Sequence, residues 1–210
     1  MLFNLSNLIE TYNLNIKGAI QAGAHHGSVI QEIHKNNISN ILCFEPVLSS
    51  FEILNKKCSD KAKIYNLALG NQNKKIYINI ETSNEGMSNS ILEPKLHLIN
   101  YPHIKFDSKI EIEMTRLDDF IKLTNEIKNI QYNFLCLDVQ GYELEVLKGA
   151  GKTLENIDYI LCEVFKDDLY DKCSKVKEID DFLSTYGFDR ILTNWEGTIW
   201  GDALYIKYNE

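Results

Sequence analysis

The stretch Phe-Leu-Cys-Leu-Asp-Val-Gln-Gly-Tyr-Glu-Leu-Glu-Val-Leu-Lys-Gly-Ala, residues 134–150, contains the pattern that decides the fold of this chain. It opens with four consecutive apolar residues, which are typical of a short strand buried on both faces of a parallel sheet. The run ends at Asp138, and a helical pattern follows from Tyr142 until Gly149. A buried strand that leads into a helix predicts one unit of a parallel α/β sheet.

The same unit recurs on both sides of that stretch. Apolar runs that end at polar or glycine residues predict five such strands, at 16–22, 41–44, 62–69, 134–137 and 159–162. Apolar residues at helical spacing predict the helices between and after them, at 28–35, 49–57, 142–148 and 175–186. Strands that are separated by helices run parallel, with right-handed crossovers.

The chain ends in two further strand patterns, at 188–193 and 198–208, and the turn between them is too short for a helical crossover. The last strand is therefore expected to run antiparallel to its neighbour. Together with the five strands above, this predicts an α/β fold in which a doubly wound, mostly parallel seven-stranded sheet ends in a C-terminal antiparallel hairpin.

Two segments lie outside the repeating pattern. Apolar residues at helical spacing within 1–14 predict a leading helix. Residues 71–116 combine alternating stretches with a middle part rich in Ser, Asn and Gly, and they hold two of the three prolines. We interpret 71–116 as a lid or insertion that is too short and too irregular to be a separate domain. Residues 1–210 are therefore expected to form a single domain.

The composition is that of an acidic globular domain. Hydrophobic residues make up 44% and charged residues 25% of the 210 residues, which excludes wholesale disorder. The chain carries 22 basic and 30 acidic side chains, a formal net charge of −8. Because nucleic-acid binding needs a basic face, we expect no nucleic-acid partner.

Features missing from the sequence indicate the compartment. No apolar run approaches the ~18–20 residues that span a bilayer, and the first residues lack the basic region and cleavage site of a secretion signal. The five cysteines are odd in number and form no C-x-x-C pair, so we interpret them as reduced, buried thiols. We therefore expect a cytoplasmic protein without a membrane span.

Acidic residues and glycines end the predicted parallel strands, where open α/β sheets bind their ligands. The strand ends are Gly23 to Gly27, Glu45, 66–68, Asp138 and Glu163. A sheet with a purely structural role has little reason to place carboxylates at three of these ends. The sequence therefore predicts a ligand site at this edge.

The first two strand ends indicate the kind of ligand. Gly23 and Gly27 let the backbone approach a ligand closely, and Glu45, 22 residues after Gly23, is placed to accept both hydroxyls of a ribose. Together they favour an adenosine-type ligand, either a nicotinamide dinucleotide or S-adenosylmethionine (SAM). The G-x-x-x-G spacing lacks the tighter glycine loop that seats a pyrophosphate, which favours SAM.

Six stretches of the sequence resemble the FkbM-type SAM-dependent methyltransferases. In chain order they are Gly-Ala-His-His-Gly (23–27), Phe-Glu-Pro (44–46), Asn-Leu-Ala-Leu-Gly (66–70), Gly-Met-Ser-Asn-Ser-Ile-Leu (86–92), Thr-Arg-Leu-Asp-Asp-Phe (115–120) and the long stretch at 137–150. The resemblance implies a Rossmann-like class I methyltransferase fold and SAM-dependent O-methylation of a sugar, glycan or other small molecule. Gln140 departs from the family pattern, which often has Glu there, as do His25 and His26, where Asn is common.

The resemblance also implies the roles of individual residues. Residues implied to contact the cofactor are Gly23, Ala24, His25, Gly27, Glu45, Pro46, Asn66, Ala68 and Asp138. We interpret Ser88, Ser90 and Glu163 as substrate-binding residues. The aromatic side chains of Tyr101, His103 and 195–200 are candidates for stacking on a sugar or other planar acceptor.

An alcohol acceptor needs help to lose its proton as it attacks the methyl group, and a carboxylate or imidazole within hydrogen-bond reach provides it. Asp138 is our first candidate for this general base, and His25 or His26 is the second. A cap or an orienting contact to the cofactor is the alternative role of Asp138. Because adjacent side chains are expected to diverge, His25 and His26 do not predict a shared metal site.

Two other classes of protein fit part of these observations. A nicotinamide-dependent oxidoreductase shares Glu45 and the parallel sheet, and a non-catalytic cofactor-binding module shares the whole fold. We expect a small-molecule or glycan acceptor as the partner, and the chain can also be one domain of a larger glycan-processing protein. The identity of the acceptor and the oligomeric state are open at this point.

Overall fold

A computed structural model describes residues 2–124 and 131–208 of the chain. The helices of this part are α1 Leu5–Tyr12, α2 Ser28–Lys35, α3 Leu48–Cys58, α4 His97–Asn100, α5 Leu117–Leu123, α6 Glu143–Lys148 and α7 Val176–Ser184, with a short 3-10 helix at Thr153–Asn156. The strands are β1 Ala19–Ala22, β2 Ile41–Phe44, β3 Lys63–Tyr65, β4 Ala68–Leu69, β5 Lys74–Glu81, β6 Phe106–Thr115, β7 Phe134–Leu137, β8 Tyr159–Phe165, β9 Phe188–Glu196 and β10 Trp200–Lys207.

The main sheet has seven strands in the order β3-β2-β1-β7-β8-β10-β9. The five strands from β3 to β8 pair in parallel, and β10 is antiparallel to both β8 and β9. This arrangement confirms the predicted α/β fold, with its mostly parallel seven-stranded sheet and C-terminal antiparallel hairpin. The order of the parallel strands reverses between β1 and β7, which is where such sheets bind ligands.

Helices cover both faces of the main sheet, and successive strand residues point to opposite faces. Ile20 of β1 packs in the apolar cluster that includes Leu147 of α6 and Leu183 of α7. Its neighbour Ala19 packs in the cluster that includes Ile30 of α2. All residues of β1, β2 and β7 are buried, so the short apolar runs of the sequence are the centre of a doubly wound sheet.

The predicted strand at 62–69 is wrong as a single strand, because the chain changes sheets within it. β3 pairs with β2 in the main sheet, whereas β4 pairs with β6 in a second, three-stranded sheet of order β4-β6-β5. The Nδ2 of Asn66 donates hydrogen bonds to the carbonyl oxygens of Glu45 and Pro46, both at 2.9 Å. These bonds tie the connection to the end of β2 and let β4 leave the main sheet.

The second sheet is built mainly from the segment 71–116. β5 and β6 pair antiparallel over their length, and Ile78 and Ile112 pack with Val47 and Met114 in a small apolar cluster of their own. The alternation of the sequence therefore predicted these two strands correctly, whereas the short helix α4 between them carried no periodic signal. The interpretation of the chain as one domain with a lid stays a prediction.

One parallel strand ends later in the structure than predicted. β8 continues past Cys162 to Phe165, because β10 pairs with it as far as Trp200 opposite Phe165. Glu163 therefore lies inside a strand, opposite Asp202, and not at its end. None of the helices in the described residues is long and apolar enough to cross a membrane.

Candidate active site

A cavity of about 570 Å³ lies at the carboxyl edge of the main sheet, at the reversal between β1 and β7. Its volume falls within the roughly 300–1,000 Å³ of small-molecule sites. The ends of β1, β2 and β7 supply part of the lining, including Gln21, Gly23, Glu45 and Asp138. Other lining residues come from the start of α2, from 67–69, from β5 and its connection to β6, from β8 and the residues after it, and from the hairpin of β9 and β10.

The turn after β1 brings the backbone close to the end of β7. Gly23 has a φ of +76°, and a Cβ at this position would lie 1.8 Å from the carbonyl oxygen of Asp138. The amides of Gly23 and Ala24 both donate to the carbonyl oxygen of Phe44, at 3.1 and 3.0 Å. A side chain at position 23 is therefore excluded, and the turn is fixed between β2 and β7.

The second glycine of the motif has a different role from the first. Gly27 has a φ of +84° and does not belong to the cavity lining. A Cβ there would lie 2.6 Å from the Sγ of Cys58 and 2.8 Å from Cδ1 of Leu54, both on α3. The structure thus places Gly27 at a helix contact, and its expected contact with the cofactor stays a prediction.

Glu45 is buried in the cavity wall as a hydrogen-bond acceptor. Its Oε2 accepts the amide of His25 at 2.8 Å and its Oε1 accepts the amide of Val47 at 2.9 Å. Burial raises the pKa of Glu45, and these two backbone hydrogen bonds oppose the rise. Each carboxylate oxygen has a second lone pair, so both can still accept a ligand hydroxyl.

The two adjacent histidines do not diverge, contrary to the expectation from their spacing. His25 adopts a φ of +46°, and its ring stacks on His26 with centroids 3.8 Å apart. Its Nε2 lies 2.8 Å from the carbonyl oxygen of Glu85, so Nε2 carries the proton and Nδ1 is the nitrogen able to accept one. His25 lines the cavity, whereas His26 does not.

An amide bridges the two acidic side chains of the cavity. The Nε2 of Gln140 donates to Oδ1 of Asp138 at 2.9 Å and to the two oxygens of Glu163 at 3.1 and 2.9 Å. The Oε1 of Gln140 accepts the hydroxyl of Tyr170 at 2.6 Å, which fixes the orientation of the amide. The position at which the sequence departs from the family pattern therefore holds two carboxyl groups together.

The two serines predicted to bind substrate lie in different surroundings. Ser88 lines the cavity, and its carbonyl oxygen accepts the hydroxyl of Tyr170 at 3.2 Å. Ser90 is fully buried, does not line the cavity, and donates from Oγ to the carbonyl oxygen of Gln140 at 2.6 Å. In this structure Ser90 thus supports the Gln140 backbone, and its expected contact with substrate stays a prediction.

Three acidic side chains are buried near Asp138. Burial, with the nearby charge of Asp138, raises the pKa of Glu143 to about 8, and burial raises the pKa of Asp202 to about 6. Burial likewise raises the pKa of Glu163 well above its usual range, and the charges of Asp138, Glu143 and Asp202 add to this effect. Such shifts concentrate at functional sites.

Glu143 also organises the loop that carries Asp138. Its Oε1 accepts the amides of Val139 and Gly141 at 2.9 and 3.2 Å, while its buried Oε2 has no partner. A protonated Oε2 agrees with the raised pKa, because a buried carboxylate without a partner is costly.

The remaining predicted cofactor residues are divided between the cavity and its support. Pro46 and Ala68 line the cavity, together with Leu67. Asn66 does not line it, and its side chain donates to the backbone at Glu45 and Pro46. In this structure Asn66 thus supports the loop after β2, and its expected contact with the cofactor stays a prediction.

Several polar residues of the site were not predicted from the sequence. Gln21 and His97 are buried cavity residues whose Oε1 and Nδ1 atoms, respectively, have no hydrogen-bond partner. Gln21 lies two residues before Gly23 on a strand, and this spacing was the available signal. Tyr170 and His97 lie in segments without a periodic pattern of apolar residues, so the sequence carries no signal for them. In the described ranges, no three His, Cys, Asp or Glu side chains are grouped to hold a metal ion.

Solved structures share this fold at low sequence identity. The magnesium protoporphyrin IX methyltransferase ChlM from Synechocystis PCC 6803, solved with bound SAM, is 10% identical, with a TM-score of 0.53 over 97% of this chain and 76% of that chain. TrmK of M. capricolum, in complex with its natural cofactor product S-adenosyl-homocysteine (SAH), is 9% identical, with a TM-score of 0.51 over 99% of this chain and 69% of that chain. The fold is thus that of the Rossmann-like methyltransferases.

The sequence matches the Methyltransferase FkbM domain over residues 21–190, and the chain belongs to this family. One relative, the 2-O-methyltransferase NoeI of Sinorhizobium fredii (strain NBRC 101917 / NGR234), is 26% identical over 174 residues, which are 79% of this chain and 69% of that protein. The predicted resemblance is confirmed, and the chain is an enzyme of the methyltransferase class.

Proposed function

We propose that this enzyme transfers a methyl group from SAM to a hydroxyl group of a sugar or glycan. The observation that carries the proposal is the acidic lining of the cavity. Four carboxyl groups line it, those of Glu45, Asp138, Glu163 and Glu196, and among the described residues no lysine or arginine does. Such a lining suits a positively charged sulfonium cofactor and a neutral acceptor that is rich in hydroxyl donors.

The residues present fit SAM on three observations of the structure. Glu45 offers paired carboxylate oxygens for ribose hydroxyls. The buried Oε1 of Gln21 has no partner and is suited to accept the ammonium group of the methionine part. Leu67 and Ala68 add apolar surface suited to an adenine ring.

When bound, SAM supplies an electrophilic methyl group for in-line displacement by the acceptor oxygen. The contribution of the protein is to hold the acceptor, to exclude water and to take up the hydroxyl proton. We assign the proton to Asp138, which lines the cavity and whose Oδ1 is held by the amide of Gln140. His25, with only Nδ1 able to accept a proton, is the second candidate.

Ser88, Glu163 and Gln140 are the proposed polar contacts of the acceptor, and all three line the cavity. The relative NoeI is a 2-O-methyltransferase, which supports oxygen as the methylated atom. A cytoplasmic location, the absence of a nucleic-acid partner and a place in a larger glycan-processing protein stay predictions.

The same lining argues against a nicotinamide dinucleotide. A pyrophosphate carries two negative charges and is bound by glycine-rich loops at helix N-termini, or by cationic side chains. Gly27, which opens α2, packs against α3, and the described cavity lining has carboxylates where a pyrophosphate needs cations. The other alternative, a non-catalytic cofactor-binding module, would show no turnover.

Calorimetric titration with SAH, with NADH in parallel, tests the cofactor. We expect SAH alone to bind, and Glu45→Ala to weaken it while the exposed control Glu52→Ala does not. Methyl transfer from labelled SAM to a panel of methyl glycosides (rhamnoside, fucoside and glucoside) then tests the acceptor class. NADH binding without SAH binding would contradict the cofactor, and SAH binding without transfer to any glycoside would contradict the acceptor class.

A further inference from the structure

His97 is a buried histidine in the cavity wall that none of the site residues described so far explains. It is the first residue of α4, and only 2% of its surface is exposed. Its Nδ1 has no hydrogen-bond partner. A buried polar atom without a partner is costly in a native protein, unless a ligand supplies the partner.

Three aromatic rings hold the His97 imidazole in place. The rings of Tyr101, Phe106 and Tyr170 have centroids 5.1, 5.2 and 5.4 Å from it. The amide of His97 also donates to the carbonyl oxygen of Leu169 at 3.0 Å. The imidazole is thus fixed by packing before any ligand arrives, which is the arrangement expected of a preorganised binding group.

The protonation state of His97 suits a hydrogen-bond acceptor. Burial lowers its pKa, and the nearby charge of Glu81 opposes this effect. A neutral imidazole has one nitrogen that donates and one that accepts. A hydroxyl group satisfies either nitrogen, because it both donates and accepts.

The surroundings of His97 connect it to the reacting end of the cavity. Its ring contacts Tyr170, whose hydroxyl donates to the same Gln140 amide that holds Asp138 and Glu163. On the other side it contacts Tyr101, whose hydroxyl accepts the indole N–H of Trp200 at 2.9 Å. His97, Tyr101 and Trp200 all line the cavity.

We propose that His97, Tyr101 and Trp200 form the acceptor subsite, in which Nδ1 of His97 hydrogen-bonds one hydroxyl of a sugar ring that lies against the two aromatic side chains. Sugars combine hydroxyl groups with apolar C–H faces, and Tyr and Trp have both an apolar ring and a polar atom. This inference rests on the proposed sugar O-methyltransferase function and adds the residues that select the sugar.

The test compares three variants of the full chain with labelled SAM and the methyl glycoside that the wild type methylates best. His97→Phe keeps a ring but removes both nitrogens, and we expect kcat/KM for the glycoside to fall at least tenfold. His97→Asn keeps an amide near the position of Nδ1 and is expected to recover most of that loss. Leu98→Ala, at an exposed neighbour on α4, is the matched control and is expected to stay within twofold.

Two further measurements separate a subsite from a structural role. The SAH affinity and Tm of His97→Phe are expected to match the wild type, because the subsite touches only the acceptor. In wild-type protein loaded with SAH, the ¹⁵N chemical shift of His97 Nδ1 is expected to move when the glycoside is added. This measurement decides the question even where His97→Phe fails to fold.

The failures of the two proposals differ in their readouts. A wild type that binds SAH but methylates no glycoside contradicts the proposed function, and with it the subsite. An active wild type with unchanged kcat/KM in His97→Phe, or with an Nδ1 shift that stays constant at saturating glycoside, contradicts the subsite alone.

Discussion

The two halves of the cavity are built in different ways. The strand-end half comes from the ends of neighbouring parallel strands and the start of β4, and includes Gln21, Gly23, Ala24, Glu45 and Ala68. The composite half comes from segments far apart in sequence, and includes Ser88, His97, Tyr101, Gln140, Glu163 and Trp200. Asp138 lies at the end of β7, between the two.

The difference shows in the contacts that hold each half. In the strand-end half, β1 and β2 pair in register, with Ala22 opposite Phe44, and this pairing places Glu45 beside the His25 amide. In the composite half, Tyr101 contacts Trp200 across 99 positions of sequence and Tyr170 contacts Ser88 across 82. The family match ends at residue 190, before Trp200. The proposed cofactor contacts thus lie at the ends of neighbouring strands, and the proposed acceptor contacts lie on segments far apart in sequence.

The largest expected effect is at the junction of the two halves. Asp138→Ala is expected to lower kcat by about 10²- to 10⁴-fold, the usual contribution of a general base. Single-turnover methyl transfer with saturating SAM and glycoside measures the chemical step. An unchanged rate with weakened SAH binding would instead show that Asp138 only orients the cofactor, and would move His25 to first place as the base.

The second effect is confined to the strand-end half. Glu45→Ala is expected to weaken SAH binding by roughly 2–3 kcal/mol, because hydrogen bonds to charged groups contribute about 1.5–3 kcal/mol each. Titration calorimetry measures this change, and the glycoside KM at saturating SAM is expected to stay the same. If SAH affinity in Glu45→Ala matched that of Glu52→Ala, Glu45 would be only a support of the turn after β1.

The third effect is on stability and comes from the buried acidic residues near Asp138. The pKa of Glu143 rises from 4.5 to about 8 in the folded state, so between these pH values the folded chain holds a proton that the unfolded chain has lost. Stability therefore falls as pH rises through this window. Glu163 and Asp202, whose pKa values are also raised, act in the same direction.

Glu143→Gln removes one of these titrations and keeps the side-chain size. The loss of unfolding free energy between pH 5 and pH 8 is expected to be smaller than in the wild type by roughly 3 to 4 kcal/mol. Urea unfolding at both pH values measures it, with the exposed Glu52→Gln as control. An equal loss of unfolding free energy between the two pH values in Glu143→Gln and the wild type would show that Glu143 is ionised in the folded protein.

The smallest effect tests the bridge in the composite half. Gln140→Glu replaces the amide that joins Asp138 and Glu163 by a third carboxyl group. A nearby negative charge raises the pKa of a carboxyl group, so the acidic limb of the kcat profile is expected to move up by about one pH unit. The profile of Tyr170→Phe, which adds no charge, is expected to keep its position. Identical pH profiles of kcat in Gln140→Glu and the wild type would show that the bridge does not influence the group that takes up the proton.

Much of the strand-end half was predictable because its signals are local. An apolar run followed by Gly23, or by Glu45, marks both a strand and the residue at its end. The same reasoning did not predict that Gly27 packs on α3 or that Asn66 supports the loop after β2. A motif specifies a tight turn, but only packing decides which of its residues reaches the cavity.

The composite half could not be predicted in the same way. Ser90 was expected at the substrate, yet its Oγ holds the backbone of Gln140, a contact between residues 50 positions apart. His97 lies on a helix of four residues, too short for any periodic pattern. The position of Glu163 depends on how far β10 extends β8, which no local signal records.

By itself the sequence determined the parallel sheet, its antiparallel end, the strand-end carboxylates and the family. The physical reason is that burial of short strands imposes apolar runs whose ends must be polar or glycine. Only the tertiary structure decided which side chains share the cavity, that Gln140 joins Asp138 to Glu163, and that His97 faces it without a partner. These relations depend on distances across the chain, and hydrogen bonding between remote residues leaves no period in the sequence.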